Sequence, residues 1–407
     1  MIQTQLSRYA ILCGMALLSC TEAFAFEYGF TGFGTMGGAI SDKKITYQRY
    51  IDDNGTFMRD SLIGGQFDAK FTDQWSATAQ VILAAATDED NVVKPQIKWT
   101  LLSYRPTNDW LIRVGRLSLG GLLNQQNLDV GVTYDMARLP NEVYLLSSSY
   151  DFDGLSIAKT WSTDTYEITL DASFGMQNRD YRSYNNGSEN SNYYSADVTS
   201  GALVLSVTDY DQAIYRLGWS INQLDPGGKG NLTTFNFIPF GNGLYTLGTP
   251  DYSEKSTINT LFFGTRIPLG GFLLSCEGTA VIARDFDPAP TTVSAYINVS
   301  HKLGNWTPYV TYAQSWTEGL DTWRKVKGAT AVPQMGVTQV MIDDAASQMA
   351  VFDQSSWMLG TSYAFTPKQK LKAEAMLTHV GDRSAMFDGD IAHENVMVYS
   401  LSYNFSF

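Results

Sequence analysis

The sequence predicts an all-β protein whose sixteen antiparallel strands close into a transmembrane barrel. Three observations support this fold class. Apolar and polar residues alternate with a period of two along most of the chain. The alternating segments are about ten residues long, which suits a tilted strand crossing a bilayer. Their connections alternate between short turns and long loops, as is typical of barrels in bacterial outer membranes.

Composition narrows the class of protein further. The chain has 407 residues, of which 17% are charged and 13% aromatic, and its formal net charge is −13. The acidic balance argues against a nucleic-acid partner, because phosphate binding requires clustered Lys and Arg. After the first 25 residues no uncharged apolar run reaches the ~18 residues of a membrane-spanning helix.

Residues 1–25 are predicted to be a secretory signal peptide. Arg8 precedes an apolar run over 9–18, and Ala23-Phe24-Ala25 fits a cleavage site. An N-terminal anchor helix and lipoprotein processing at Cys20 are the alternatives. Residues 26–407 then form the barrel domain, and because Cys276 is its one cysteine, no intrachain disulfide is expected.

Each expected strand is a period-two segment. In the order of the chain, these segments are 26–40, 61–72, 75–85, 95–105, 110–118, 153–161, 166–175, 201–208, 213–222, 257–267, 272–284, 292–301, 306–316, 356–365, 370–379 and 395–407. Short turns follow the even-numbered strands and longer polar loops follow the odd-numbered ones. Two of the longest are loop 119–152 and loop 317–355, the second with a helix expected over 343–350.

Aromatic residues mark one rim of the expected barrel. They open or close strands beside the short turns, at Trp75, Trp110, Trp161, Tyr166, Phe272, Trp306, Tyr363 and Phe365. Such a girdle is typical of the periplasmic membrane interface. The last strand places Tyr403, Phe405 and Phe407 on one apolar face, and this resembles the assembly signal of barrel proteins.

Two sequence patterns that could indicate an enzyme, a glycine spacing and a set of histidines, do not support one. Gly32, Gly34 and Gly37 match a dinucleotide-binding spacing, but small residues where the first strand packs on its neighbours explain them better. His301, His379 and His393 lack zinc-ligand spacing. We therefore expect no metal and no cofactor.

Residues 95–142 resemble the general porins of Gram-negative outer membranes. A strand ending in Ser103-Tyr104 is followed by a turn, by Trp110 to Val114 and by Gly115-Arg116; Leu139-Pro140-Asn141-Glu142 comes about two dozen residues later. The similarity of topology covers the whole of 26–407. The resemblance implies a homotrimer, a third loop folded into each barrel, assembly by the barrel-assembly machinery and contact with outer-membrane lipid.

The pore residues follow from this resemblance and from strand parity. Three acidic residues of the third loop are candidates for a negative lip: Asp129, Asp135 and Glu142. Three cations on the inner face are candidates for the opposing wall: Lys70, Lys98 and Arg113. Arg216 and Arg266 lie further round. Opposed rows of charge would produce a transverse field that orients polar solutes; scattered, solvated lumen charges are the alternative.

Arg116 is a candidate for the subunit interface. Parity places it on the outer face, where a charge against lipid is costly. In the family the second loop reaches a neighbouring barrel, and here that loop carries Asp88, Glu89 and Asp90. We therefore expect Arg116 to pair with one of these acids across a trimer junction.

The predicted function is a non-enzymatic channel in the outer membrane of a Gram-negative bacterium, through which ions and small hydrophilic solutes diffuse passively. The net charge of −13 predicts a weak cation preference. A porin specific for sugars or organic acids is the first alternative, with Tyr296 and Tyr309 stacking on sugar rings. An outer-membrane enzyme using His379 or His393 and a soluble secreted all-β adhesin are the others.

Overall fold

The chain folds as a closed barrel of sixteen antiparallel strands. A computed structural model describes residues 27–145, 151–183, 192–227, 231–283, 286–389 and 391–407. The predicted signal peptide, 1–25, lies outside the described residues. The predicted fold class and strand number are confirmed.

The barrel strands are numbered β1 to β16 in chain order. They are β1 Glu27–Ser41, β2 Leu62–Lys70, β3 Trp75–Ala85, β4 Val93–Tyr104, β5 Trp110–Ser118, β6 Asp151–Ser162, β7 Tyr166–Ser183, β8 Asn192–Asp209, β9 Ile214–Asp225, β10 Ser256–Leu269, β11 Phe272–Ala283, β12 Thr292–His301, β13 Trp306–Thr317, β14 Phe352–Thr366, β15 Gln369–Ser384 and β16 Glu394–Ser406. Sequential strands pair, and β1 closes the barrel against β16 with Phe33 opposite Ser406.

Two hairpins are longer than the sequence predicts. β7 and β8 have 18 residues each, and β14 and β15 also extend past their predicted ends. In the added part of β7, residues 177–182 are polar on both faces of the strand except for Tyr181. A period-two pattern detects a strand only where one face is apolar, so this part carried no signal.

The two faces of the wall follow the predicted alternation. On β8, Leu203 and Leu205 are 45% and 39% exposed, whereas Ala202 and Val204, which alternate with them, are buried. The exposed apolar face suits lipid, and the other face points to the lumen. The aromatic rim is continuous at one place, where ring contacts run along Trp306, Tyr363, Phe365, Tyr403, Phe405 and Phe407.

The glycines of β1 fit beneath this aromatic ladder. A Cβ at Gly32 would collide with the Phe407 ring, and one at Gly34 would press on Phe405. The backbones of Gly32 and Phe407 also exchange hydrogen bonds of 3.0 and 2.9 Å. Close strand packing therefore explains these glycines, as the sequence indicated.

Two long loops pack together beyond the strands. Loop 318–351 contains helices α2 (Leu320–Lys327) and α3 (Gln339–Gln348), while loop 226–255 contains short strand pairs. Trp323 and Val326 of α2 share a buried cluster with Phe235 of the other loop. The expected helix at 343–350 begins four residues earlier, after Thr338, whose hydroxyl accepts a hydrogen bond from the Met341 amide. No helix in the described part of the chain is long and apolar enough to cross a membrane.

Candidate pore and inner wall

The third long loop, described from Leu119 to Leu145, lies across the barrel. It leaves β5 and returns to β6, yet its residues bond to distant strands. The Leu123 amide donates to Glu277 of β11, the Ala137 amide donates to Tyr309 of β13, and Gly131 sits against Asn404 of β16. A loop that bonds to walls this far apart runs through the lumen. It also includes the single-turn helix α1, Asn141–Tyr144.

Glu277 fastens the two ends of this loop to one wall. Its carboxylate accepts hydrogen bonds from the Leu123 amide at 2.5 Å and from the hydroxyls of Tyr144 and Tyr296, both at 2.5 Å. Glu277 is 1% exposed. Three donors satisfy a buried carboxylate that would otherwise be costly, so the loop is clamped where it enters and leaves the lumen.

A buried ion pair holds the middle of the loop. Arg138 donates to both carboxylate oxygens of Asp60, at 3.0 and 2.5 Å, and also reaches Ser400 of β16 at 3.3 Å. Burial alone would raise the pKa of Asp60, but Arg138 outweighs it and the pKa lies below the usual value. Asp60 therefore stays ionised beside its arginine at neutral pH.

Two lysines of β15 hold the adjacent stretch. Lys370 pairs with Asp135 at 2.8 Å, and the Ser362 hydroxyl donates to the same carboxylate. Lys372 donates to the Met136 carbonyl at 2.9 Å and stacks over the Tyr134 ring. Burial favours a raised pKa for Asp135, but the lysine and hydroxyl lower it overall.

Glu142 is turned into the protein. It is fully buried and accepts hydrogen bonds from Gln354 and Ser356 of β14. Asp129 faces Lys98 of β4 at 3.5 Å, and Lys98 is also 3.1 Å from Asp151. Each of the three acids predicted for a negative lip is therefore bonded to a residue of the barrel wall.

An apolar core fills the same side of the lumen. Residues of three long loops join it: Tyr47 and Ile51 of the first loop, Val143 of the third, and Met386 and Phe387 of the last. All five are fully buried. We call the side lined by β10–β16 and β1 the filled half of the barrel.

The other side holds an open cavity of about 320 Å³. Strands β5–β9 line it, and residues from Leu117 to Gly120 with Gln126 form its border with the third loop. Arg105 and Asn108 mark its end at the short turns. We call this side the open half, and it is the candidate passage for solutes.

The structure corrects the prediction of a positive wall formed by Lys70, Lys98 and Arg113. Arg113 lines the open half but pairs with Asp171 at 2.7 Å. Lys98 pairs with Asp129 directly instead of facing it across a gap. Lys70 lies at the short-turn rim, where it pairs with Asp73 at 2.8 Å and is 48% exposed. Strand parity determines which face of the wall a side chain occupies. It does not determine how far along the barrel axis the side chain lies or which residue neutralises its charge.

The predicted interface charges have partners within the chain. Arg116 forms a two-point pair with Asp153 of β6, at 2.9 and 2.7 Å. Asp88 and Glu89 pair with Lys94. Asp90 pairs with Arg49 and with Arg182 of the long β7–β8 hairpin, and Arg182 also pairs with Asp388. An outward arginine is thus neutralised by its neighbouring strand.

The residues considered for the alternative functions are also engaged. Tyr296 and Tyr309 are both 3% exposed, and their hydroxyls donate to Glu277 and Glu374. Their rings cannot stack on a passing sugar. His379 lies 2.9 Å from Asn395, while His393 faces an Asp382 that Arg324 already neutralises.

Sequence reasoning missed the residues that anchor the third loop: Asp60, Arg138, Glu277 and Lys372. A signal existed for one of them. Glu277 lies on the inner face of a strand whose other inward residues are uncharged, and a buried charge requires a partner. The partner's position depends on the path of a loop that has no periodic pattern.

No protein-family description and no curated protein matches this sequence. Solved structures do match it along nearly its whole length. An OmpT loop-L8 deletion mutant of Vibrio cholerae shares 13% identity, with a TM-score of 0.54, over 94% of this chain and 100% of that one. OmpF of Salmonella typhi, in complex with daunomycin, shares 10% identity with a TM-score of 0.54, over 93% and 97%. An anion-selective porin from Comamonas acidovorans shares 12%, with a TM-score of 0.51, over 94% and 100%. The chain therefore has the barrel fold of these outer-membrane proteins.

Proposed function

We propose that the protein is an outer-membrane porin, a water-filled channel for passive diffusion of ions and small hydrophilic solutes. The observation that carries this proposal is the open half: a polar, uncollapsed cavity inside a closed barrel whose outer surface is apolar. A sixteen-stranded barrel is too wide for side chains to fill, so an aqueous path remains.

The structural neighbours support the outer membrane of a Gram-negative bacterium as the location. Three of them are described as an outer-membrane protein, an outer-membrane channel and an anion-selective porin. Residues 1–25 would then be removed on export, and the barrel would be inserted by the barrel-assembly machinery through its last strand, with Tyr403, Phe405 and Phe407 as the signal.

A homotrimer is part of the proposal. One neighbour, OmpT of Vibrio cholerae, is described in a trimer form. Arg116 and the acids at 88–90 remain our candidates for the junction, although Asp153 already neutralises Arg116. Reversal of charge in Arg116→Glu should lower the temperature at which trimers dissociate on a gel. Unchanged dissociation would remove Arg116 from the interface.

A weak cation preference is proposed from the net charge of −13. Because Asp129 and Asp135 are ion-paired and Glu142 is fully buried, this preference would arise at the mouths, by long-range enrichment of cations. Such enrichment weakens as salt shortens the Debye length.

The alternatives have less support. The two residues that could stack on sugars, Tyr296 and Tyr309, are buried, which argues against a sugar-specific channel. The carboxylate beside His393 is paired with Arg324, which argues against an outer-membrane enzyme. A channel for organic acids is still supported by the arginines of the open half.

Recording in planar bilayers tests the proposed function. Purified protein should insert in discrete conductance steps whose size scales with the conductivity of the salt. Protein that folds, shifts its gel mobility on heating and yet gives no steps would contradict a diffusion channel. A soluble adhesin would need no detergent.

A further inference from the structure

A groove of about 720 Å³ lies on the outer face of the wall, near the long-loop end of β9, β10 and β11. One apolar residue from each strand lines it: Trp219, Leu261 and Ile282. Each of the three alternates along its strand with residues that face the lumen. The groove therefore opens toward the lipid, and its volume is within the range of ligand sites in proteins.

A segment of the loop between β9 and β10 forms the upper edge of the groove. In this segment Asn231–Thr234 pairs with Asp251–Ser253, and Thr233 lines the groove. Asp287 of the next long loop holds the pair in place. Its amide donates to the Thr233 carbonyl at 2.7 Å, and its carboxylate accepts from the Phe235 amide at 2.8 Å. The upper edge is therefore formed by the fold of the chain itself.

The groove changes from cationic to apolar along β10. Lys255 immediately precedes this strand, and Thr257 and Asn259 follow at alternate positions on its outer face; all three line the groove. Leu261 is the next outward residue, ~20 Å from Lys255 at the rise of a β-strand. A ladder of hydrogen-bond donors thus leads from the long-loop end to an apolar floor.

The ladder retains donors for a ligand. The Lys255 ammonium is 51% exposed and lies 3.7 Å from the Asp225 carboxylate, beyond hydrogen-bond distance. The Asn259 side-chain oxygen accepts from the Trp219 indole at 3.2 Å. The amide N–H groups of Asn259 and the Thr257 hydroxyl have no hydrogen-bond partner in the part of the chain that the structure describes, so they remain available.

The charge at the groove is small. Lys255 is the charged residue of the lining, and no carboxylate lines the groove with it. Asp225 lies beside the ammonium, and Glu254 precedes Lys255 in the chain. These two acids offset part of the lysine charge and would repel a ligand with several negative charges. A ligand with a single negative charge suits this balance better.

We propose that the groove binds one phospholipid from the leaflet on the long-loop side of the membrane. The phosphodiester lies at Lys255 and Thr257, the ester carbonyls lie at Asn259, and an acyl chain covers the apolar floor. At these depths a phospholipid presents hydrogen-bond acceptors, which match a wall of donors. An indole between water and hydrocarbon is also typical of the membrane interface. The inference requires the proposed membrane location but not conduction through the lumen.

Native mass spectrometry tests this site. The protein is released from detergent during titration with phosphatidylglycerol, and the wild type should bind one lipid more tightly than any further ones. Lys255→Gln should weaken this first binding about five- to tenfold, as for the loss of one hydrogen bond. Thr257→Trp fills the groove from an exposed strand position and should abolish the first binding. Thr257→Ser keeps the hydroxyl and should retain it.

Two controls separate the headgroup from the acyl chain and from the general charge of the protein. Lys325→Gln removes one charge from an exposed position on α2, outside the groove, and should bind the lipid like the wild type. Inorganic phosphate in excess should not displace the lipid, because it has no acyl chain to bury. Displacement by phosphate alone would overturn the lipid site in favour of a site for free phosphate.

Equal first-lipid affinities in the wild type and in Lys255→Gln, or in the wild type and in Thr257→Trp, overturn the lipid site. A smaller oligomer of Thr257→Trp on an unheated gel also overturns it, because the groove would then be a contact between copies of the chain. Far-ultraviolet circular dichroism and the heat-dependent gel shift check that each variant is folded. Conductance steps in planar bilayers report on the proposed channel separately, and Thr257→Trp should leave them unchanged.

Discussion

The two halves of the lumen use charged residues for different purposes. In the filled half, carboxylates and cations are buried and bonded in pairs or clusters, as in Arg138–Asp60 and around Glu277. In the open half, Arg216 has hydrogen bonds but, among the described residues, no ion pair, and it lines the cavity. Charge in the filled half is buried and bonded, whereas charge in the open half lies against the cavity.

The largest effect is expected from breaking the buried ion pair of the filled half. Arg138→Ala leaves Asp60 buried without its cation, and removing one partner of such a pair costs roughly 3–5 kcal/mol. We expect a lower midpoint of urea unfolding in detergent and a larger single-channel conductance, because the third loop loses its central anchor. Arg324→Ala, at an exposed pair, serves as the control and should leave the urea midpoint close to that of the wild type, because solvent screens exposed ion pairs. Equal losses would mean that burial does not set the contribution of the Arg138–Asp60 pair.

Removal of the Glu277 carboxylate should have the next largest effect. Glu277→Ala leaves the Tyr144 and Tyr296 hydroxyls buried without an acceptor, at about 1–3 kcal/mol for an unsatisfied group. The loop ends should then move, and the open-state current should become noisier. A quiet trace of wild-type amplitude would show that Glu277 does not clamp the loop.

Acid should loosen the filled half only at low pH. The pKa values of Asp60 and Asp135 lie below the ordinary value of 3.8 despite burial, because Arg138 and Lys370 favour the charged forms. A depressed pKa contributes stability that is complete above the unfolded value and is lost as pH falls through the folded value. Conductance should therefore hold steady from pH 7 to about pH 4 and rise or fluctuate below it. A change centred near pH 6 would point to other groups.

The smallest effect is expected at the ion pair of the open half. Arg113 and Asp171 are 23% and 25% exposed, and Arg113→Gln should cost no more than about 1 kcal/mol. The same urea experiment measures it. A loss as large as that of Arg138→Ala would show that the open half is also held together by charge.

The wall of this protein could be predicted from the sequence far better than its interior. Period-two alternation determines strand number, turns and the face of each residue, because lipid on one side and water on the other select different side chains. Arg113 lines the open half, and Lys98 lies beside Asp129 of the third loop. Parity could not show that Lys98 meets Asp129 or that Glu142 is buried against β14, because those contacts depend on the path of an aperiodic loop.

Two lysines of β15 show the same limit of prediction from sequence. Lys370 and Lys372 both lie on the inner face of β15, and the sequence pattern does not distinguish them. In the structure one pairs with Asp135, and the other is enclosed between the Met136 carbonyl and the Tyr134 ring. Burial of this kind is a property of the assembled core, to which three separate loops contribute.

The apolar core inside the barrel constrains how such a channel can change. Shortening the third loop to widen the passage would uncover Tyr47, Ile51 and Phe387, which now have no contact with water. Permeability and folding are therefore linked through the same side chains. Small gains in aperture are available along the open half, by exchange of single side chains such as Gln126, whereas a wider opening would demand a redesigned interior.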